Sequence, residues 1–373
     1  MDKRNCFLCG THEYEIVTIH EDADRTGTYV ICKNCGLIYH NPVMSKEEFA
    51  EYYKKQYAGS YFESASMQEE IARDRLKHLK SFVQSMQGNA LEIGCSIGAV
   101  LKQLSYEGFS VFGVEPSEEF VKKAKELFDI EVFNGVYDEF PPKNNYYSLV
   151  CMFHVLEHIV DPVPILQRIK KELTEDGLLY LVVPTFKKHQ LSMVFKAIHP
   201  TVFSRTTLTI LLQKTGYDIC DIQVQANNIV AIAKPGKKYA RIDTRSVKVK
   251  QVLDEVYMHL SERQKCIDMI VRKLSELDGE LRGAIFGAGH TTIELANVFN
   301  LRRLNITHVY DSDPEKKGKC VLDYIIEHKD DIGQFQGDYI IIASYAYQEE
   351  ICRELEFMEQ KGMQLITLYD KSL

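Results

Sequence analysis

The segment Leu91-Glu92-Ile93-Gly94-Cys95-Ser96-Ile97-Gly98 constrains this chain most: an apolar strand runs into a glycine turn that opens a helix. Gly94 and Gly98 let the backbone approach a ligand closely, and the helix start presents free N–H groups. The segment begins a β-α alternation. Apolar strands are predicted at Ala90–Ile93, Val111–Val114, Ser148–Phe153 and Leu178–Val183, with helices at Val100–Tyr106, Glu118–Phe128 and Pro164–Leu173 between them. That alternation predicts a doubly wound α/β fold, its parallel sheet covered on both faces. Asn227-Asn228 before Ile229–Ala233 predicts a closing antiparallel hairpin. A second series follows, with strands at Ala284–Phe286, Ile306–Tyr310, Tyr339–Ala343 and Gln364–Leu368.

At 373 residues the chain exceeds the span of one core. Residues 1–44 read as a ribbon and 45–88 as a helical lid. Residues 89–234 read as the main α/β core, 235–281 as a linker with a long helix at Val252–Leu277, and 282–373 as a second α/β domain. Ser45 with Glu48 forms a capping box, and Ala65–Met86 has helical apolar spacing. The net charge of −8 disfavours nucleic acid as a partner. No apolar run is long enough for a membrane span, and the start Met1-Asp2-Lys3-Arg4 lacks a signal-peptide core, so a cytoplasmic protein is expected. Its ten cysteines then read as thiols or metal ligands.

Cys6-Phe7-Leu8-Cys9 and Cys32-Lys33-Asn34-Cys35 are two C-x-x-C knuckles, each followed by glycine and separated by 22 residues. Two such knuckles supply four sulfurs in the tetrahedral set that Zn²⁺ accepts, and a closed four-sulfur site is structural. His12, His20 and His40 read as surface or turn residues rather than ligands. Cys95 and Cys151 read as packing residues.

Strand Val111–Val114 ends in Glu115, where a carboxylate can take both hydroxyls of a ribose. The turn Glu92–Gly98, the sequence Gly113-Val114-Glu115-Pro116-Ser117 and the sequence Phe153-His154-Val155-Leu156-Glu157-His158 together resemble class I methyltransferases that use S-adenosylmethionine (SAM). The resemblance implies that Glu92, Gly94, Ser96 and Gly98 meet the methionine part of the cofactor and that Glu115 with Pro116 meets the ribose. Tyr137, Phe153 and His154 complete the implied cofactor site.

The order of parts is similar to bacterial deoxysugar C-methyltransferases acting on nucleotide-linked ketosugars. The likeness extends to Gly287-Ala288-Gly289, Asp311-Ser312-Asp313-Pro314 and Gly337–Tyr345 in a Rossmann-like C-terminal domain. It implies substrate contacts from Gly287, Gly289, Thr292, Asp311 and Tyr345, and from Tyr57 and Tyr61 of the lid. Thr291 and Thr292 replace the third glycine of a dinucleotide fingerprint, which argues against NAD. Aligned on Phe203-Ser204, His199 falls on the family's histidine and Ile198 on its acid; the histidine after strand four falls on His158. His199 and His158 are thus the candidate bases, and Glu157 reads as a helix-start carboxylate. The expected function is SAM-dependent methylation of a small molecule, a nucleotide-linked sugar or surface-glycan precursor, on carbon or oxygen. An RNA-directed methyltransferase with a zinc module and a non-catalytic assembly protein are the alternatives, and self-association is left open.

Overall fold

The computed structural model describes residues 4–22, 25–45, 47–49, 65–83, 87–186, 191, 194–225, 227–237 and 248–369. It forms two units: Met1–Ser60 with Ala65–Phe186 and Val194–Val256, and Tyr61–Ser64 with Lys187–Met193 and Tyr257–Leu373. Among the described residues, no helix is long and apolar enough to cross a membrane.

The first unit opens with β1 (Tyr14–Asp22), β2 (Arg25–Cys32) and β3 (Ile38–His40). A central sheet then uses β4 (Gly88–Ile93), β5 (Phe109–Glu115), β6 (Val132–Asn134), β7 (Tyr147–Phe153) and β8 (Leu173–Pro184). After the short β9 (Thr201–Val202) come β10 (Tyr217–Gln225) and β11 (Asn228–Pro235). The central sheet runs β10-β11-β8-β7-β4-β5-β6. Strands β4 to β8 pair in parallel, and β10 and β11 join as the antiparallel hairpin expected from Asn227-Asn228. The middle strands β4 and β7 are almost wholly buried. This fits their mainly apolar sequences, as expected of parallel strands covered on both faces.

The ribbon belongs to this unit. Cys6, Leu8, Val30, Leu37 and Tyr39 share one apolar core with Leu91, Val150 and Leu181. Strand β9, from the far end of the core, pairs antiparallel with β3 and makes a four-stranded sheet β1-β2-β3-β9. Lys214 donates to the carbonyls of Phe7 (2.7 Å) and Leu8 (2.8 Å), tying the first knuckle to the last turn of helix Arg205–Lys214.

The capping box holds: Glu48 N donates to Ser45 Oγ (3.1 Å) and Ser45 N to Glu48 Oε2 (2.9 Å). The helix expected over 65–86 is instead Ala65–Lys77 followed by a single turn, Lys80–Val83. It breaks where His78 turns its ring to Asp221 (2.7 Å) and Gln223 of β10, a tertiary attraction that spacing does not encode. His40 is 3 % exposed and edge-packed on Tyr29, so it is not the surface residue expected. His12 is exposed.

The second unit contains β12 (Arg282–Phe286), β13 (Asn305–Asp311), β14 (Cys320–Val321), β15 (Tyr324–His328), β16 (Tyr339–Ile342) and β17 (Gln364–Thr367). They form a sheet ordered β14-β15-β13-β12-β16-β17. From Tyr257 onward the long helix Val249–Ser275 belongs here, and its i, i+4 stripe Cys266, Ile270, Leu274 enters the core beside Ile285 and Ile341.

Glu172 ties the lower edge of the first unit together. Fully buried, it accepts from Arg168 Nε (2.8 Å) and Tyr137 Oη (2.7 Å). Breaking a buried pair by removing one partner typically costs about 3–5 kcal/mol. Glu172→Ala is therefore expected to lower the unfolding free energy of the first unit by that order, read as a lower urea midpoint, and a midpoint within error of the unmodified chain would refute the assignment.

Candidate functional site

The site is built where β4, β5 and β7 end. Gly94 stands at φ +71°, and a Cβ there would lie 2.5 Å from Val155 Cγ2, so no side chain fits. Gly98 is left-handed at the cap of helix Ala99–Tyr106, and its free helix N-terminus faces the turn. Ser96 (φ +48°) and His154 (φ +56°) also hold left-handed backbone without being glycine, a cost that surrounding structure must impose.

Glu115 imposes it on the turn. One carboxylate oxygen accepts from Ser96 N (2.9 Å) and the other from Ser117 N (2.9 Å). Gly94 N also donates to Val114 O (2.8 Å), so the end of β5 fixes the loop leaving β4. Burial raises the pKa of Glu115 while those two N–H donors lower it. Pro116 beside it is exposed.

Glu92 lies one turn below. It is 2 % exposed, and its Oε2 has no hydrogen-bond partner. Burial pushes its pKa up to about 8, against the field of Arg75. Arg75 also lies over the Phe153 ring (5.3 Å). An orphaned buried carboxylate is costly to leave unmet, which marks Glu92 as aimed at something polar or cationic. Arg75 had no signal in the sequence beyond its helical position.

After β7 the chain makes a short turn, Leu156–His158. Glu157 stands in the first turn there, as expected of a helix-start carboxylate, but is 1 % exposed. Its Oε1 is 3.5 Å from His154 Nδ1 and 3.9 Å from His158 Nε2, too far for good hydrogen bonds, and neither oxygen has a partner. Burial raises its pKa, but His154 and His158 outweigh this and hold it below the usual carboxylate value. His158 Nδ1 donates to Ile198 O (2.7 Å) and His199 Nδ1 to Val194 O (2.7 Å). The two rings meet edge to face at 4.9 Å. Crowding, then the field of His158, pushes His199 down to about 3, so it is neutral at neutral pH. The structure thus brings together the two expected histidines and supplies in space, through Glu157, the acid that Ile198 does not supply in sequence.

Tyr137 is committed elsewhere. Its hydroxyl bonds Glu172, and its ring lies 4.1 Å under the Arg168 guanidinium within the apolar core. Tyr137, expected in the cofactor site, is buried in this packing role, and Val136 beside it is the exposed residue. Tyr57 and Tyr61 lie outside the described residues. Cys95 and Cys151 are buried thiols with raised pKa values, as expected of packing residues.

In the ribbon, Cys6 Sγ and Cys35 Sγ are 3.5 Å apart, and Cys9 Sγ and Cys32 Sγ 3.4 Å; all four cluster within 4.8 Å. Tetrahedral Zn²⁺ with bonds of about 2.3 Å needs sulfurs about 3.8 Å apart, so this donor set can hold it with small adjustments.

The second unit repeats the turn. Gly287 (φ +108°) donates to Tyr310 O (2.8 Å), and Asp311 accepts from Ala288 N (2.8 Å) and Asp313 N (2.9 Å). Here Lys316 Nζ also reaches Asp311 Oδ2 (2.8 Å). Burial lowers Lys316 to about 8 and raises Asp311. Asp311, expected to meet substrate, is therefore neutralised from within. Thr292, also expected there, is fully buried and donates to Gly287 O. Gly289 has room for a Cβ, and Tyr345 packs edge-on against Tyr369 (5.0 Å).

Residues 64–222 match the family model described as methyltransferase domain, and residues 280–365 match one described as C2185-like, N-terminal. A curated relative, an uncharacterized methyltransferase of Alkaliphilus oremlandii, is 37 % identical over 68 residues, 18 % of this chain and 32 % of that protein. A ubiquinone biosynthesis O-methyltransferase of Bradyrhizobium diazoefficiens is 32 % identical over 104 residues, 26 % of this chain and 40 % of the other. The chain thus spans about a third to a half of the curated relatives it matches. Among solved structures, the 1,6-didemethyltoxoflavin-N1-methyltransferase of Burkholderia thailandensis is 18 % identical, covering 59 % of this chain and 99 % of its own, with TM-score 0.44. The region that matches the methyltransferase-domain model holds most of the central α/β sheet of the first unit.

Glu92 sets a pH dependence. Its folded pKa of about 8 exceeds its ordinary 4.5, so the folded chain holds the proton that the unfolded chain releases. Its contribution is full below pH 4.5 and falls as pH rises towards 8. Glu92→Gln is expected to flatten that fall in chemical denaturation between those limits; parallel stability profiles for both proteins would count against the assignment.

Proposed function

We propose that the chain is a SAM-dependent methyltransferase acting on a small molecule, a nucleotide-linked sugar or related glycan precursor. The observation that carries the cofactor is the orphaned Glu92 carboxylate beside the Gly94–Gly98 turn, held open by Glu115. When bound, the cofactor supplies an electrophilic methyl on a sulfonium. Glu92 would take the ammonium or hydroxyls of the ligand, and the spare lone pairs of Glu115 would take the ribose. Ser96, Pro116, Phe153 and His154 line the rim of the same strand ends. A cation at Glu92 would draw its proton off, so binding would release a proton.

The acceptor would sit against the Glu157-His158-His199 cluster, and His158 Nε2 would take its proton. The backbone carbonyl at Nδ1 keeps that lone pair on Nε2. Glu157 stabilises the imidazolium that forms, and His199, at about 3, stays neutral beside it. The family likeness supports a nucleotide-linked sugar. Within the second unit, the internal Asp311–Lys316 pair leaves the Gly287–Gly289 backbone, rather than the Asp311 side chain, to meet a ligand.

Zn²⁺ in the four-cysteine cluster would be structural. Tyr29 Oη, on the ribbon, donates to the carbonyls of Lys196 (2.8 Å) and His199 (2.7 Å), so the ribbon braces the loop that carries His199. The RNA-directed and assembly readings gain no specific support from these residues.

Three outcomes test this reading. At a hundredfold excess over Kd, SAM is expected to stabilise the chain by about 2.7 kcal/mol, and Gly94→Arg to abolish the shift; equal melting of both with and without SAM would sink it. Cys32→Ser is expected to retain SAM binding while turnover falls at least about tenfold, because the His199 loop loses its brace; undiminished turnover would remove the ribbon from the mechanism. A nucleotide-sugar panel assayed for SAM turnover, with NMR of the product, is expected to locate the methyl on a sugar carbon or oxygen, and turnover confined to RNA would overturn the substrate class.

A further inference from the structure

The Glu157-His158-His199 cluster has a geometry that proton handling alone does not explain. In a base–orienter pair the carboxylate sits on the nitrogen opposite the base nitrogen. Here backbone carbonyls occupy that opposite place on both rings, at Ile198 O and Val194 O, each 2.7 Å from Nδ1. Carbonyl oxygens only accept, so both Nδ1 atoms carry the hydrogens and the lone pairs lie on Nε2. Glu157 lies on the Nε2 side of His158, at 3.9 Å. Among the described residues neither of its oxygens has a hydrogen-bond partner, although the residue is 1 % exposed. One donor atom from each of the three side chains falls within 4.8 Å of the others. An Nδ1–H anchored on a backbone carbonyl is the usual outer partner of a metal-ligating histidine, because it fixes both tautomer and ring orientation.

From this arrangement we infer that Glu157, His158 and His199 form a binding site for a first-row divalent cation, distinct from the four-cysteine cluster. Two imidazole nitrogens and one carboxylate suit Zn²⁺, Fe²⁺, Co²⁺ or Mn²⁺ and leave coordination positions open for water or an oxygen ligand. Bonds of about 2.1 Å need donors about 3–4 Å apart, which small side-chain rotations provide. The ion satisfies the buried carboxylate that the protein leaves unmet. The site stands on its own geometry and rests on the proposed function only in its consequence: a lone pair given to the ion is closed to a proton, so ion and acceptor compete for His158.

The test uses the full chain with zinc in its four-cysteine cluster, titrated with Co²⁺ and desalted. One additional cobalt per chain is expected, with visible ligand-field bands and no sulfur-to-cobalt charge-transfer band. Glu157→Gln and His199→Gln are expected to weaken this uptake at least about tenfold. Circular dichroism and SAM binding on the same samples separate a lost site from a lost fold. Failure of SAM binding with cobalt uptake intact defeats the proposed function but not this site. No cobalt beyond the zinc cluster in the unmodified chain, or equal uptake by folded Glu157→Gln, overturns the site.

Discussion

The first unit depends on one carboxylate that joins two strand ends. Glu115 accepts from Ser96 N and Ser117 N, so the loop leaving β4 cannot move without the end of β5. The left-handed backbone at Gly94, Ser96 and Gly98 persists because this clamp over-determines it. The second unit uses the same device, with Asp311 joining Ala288 N to Asp313 N. The two differ in one atom's reach. Lys316 pairs with Asp311 at 2.8 Å, whereas among the described residues Glu92 Oε2 has no hydrogen-bond partner and feels Arg75 only through its field. One architecture thus yields a closed turn in one unit and an open, electrostatically unfinished one in the other.

The ribbon works as scaffolding for the second half of the site. Arg4, whose pKa burial lowers to about 10, sends its guanidinium to the carbonyls of Val160 and Pro200. Tyr29 holds Lys196 and His199, and β3 captures β9 directly after them. These bonds span more than 150 residues of chain and converge on the loops carrying His158 and His199. A four-sulfur metal centre at the far end of β2 would stiffen that sheet, which gives a structural metal a role in positioning chemistry it never touches.

Much of the fold was legible in the chain itself. Apolar runs placed β4, β5, β7, β8 and β11 of the central sheet, because a strand buried on both faces admits little else, whereas β6 and β10 carried no such run. The Ser45–Glu48 box and the Asn227-Asn228 hairpin were equally legible, since local hydrogen bonding decides them. The break at His78 was not, because its cause is a partner 143 residues away. Tyr137 and His40 were misread for a similar reason: what surrounds each ring is assembled from Arg168, Glu172 and Tyr29, distant in sequence.

By itself, then, the sequence determined the α/β alternation, the glycine turn with its partner carboxylate, and the paired cysteine knuckles. All of these follow from short-range spacing and backbone conformation. Only the tertiary structure decided the state of the ionisable groups: Glu92 Oε2 and both Glu157 oxygens buried without a hydrogen-bond partner among the described residues, Asp311 paired with Lys316, and His199 held neutral. The physical reason is that desolvation and pairing depend on what packs around a charge, and those neighbours come from elements far apart along the chain.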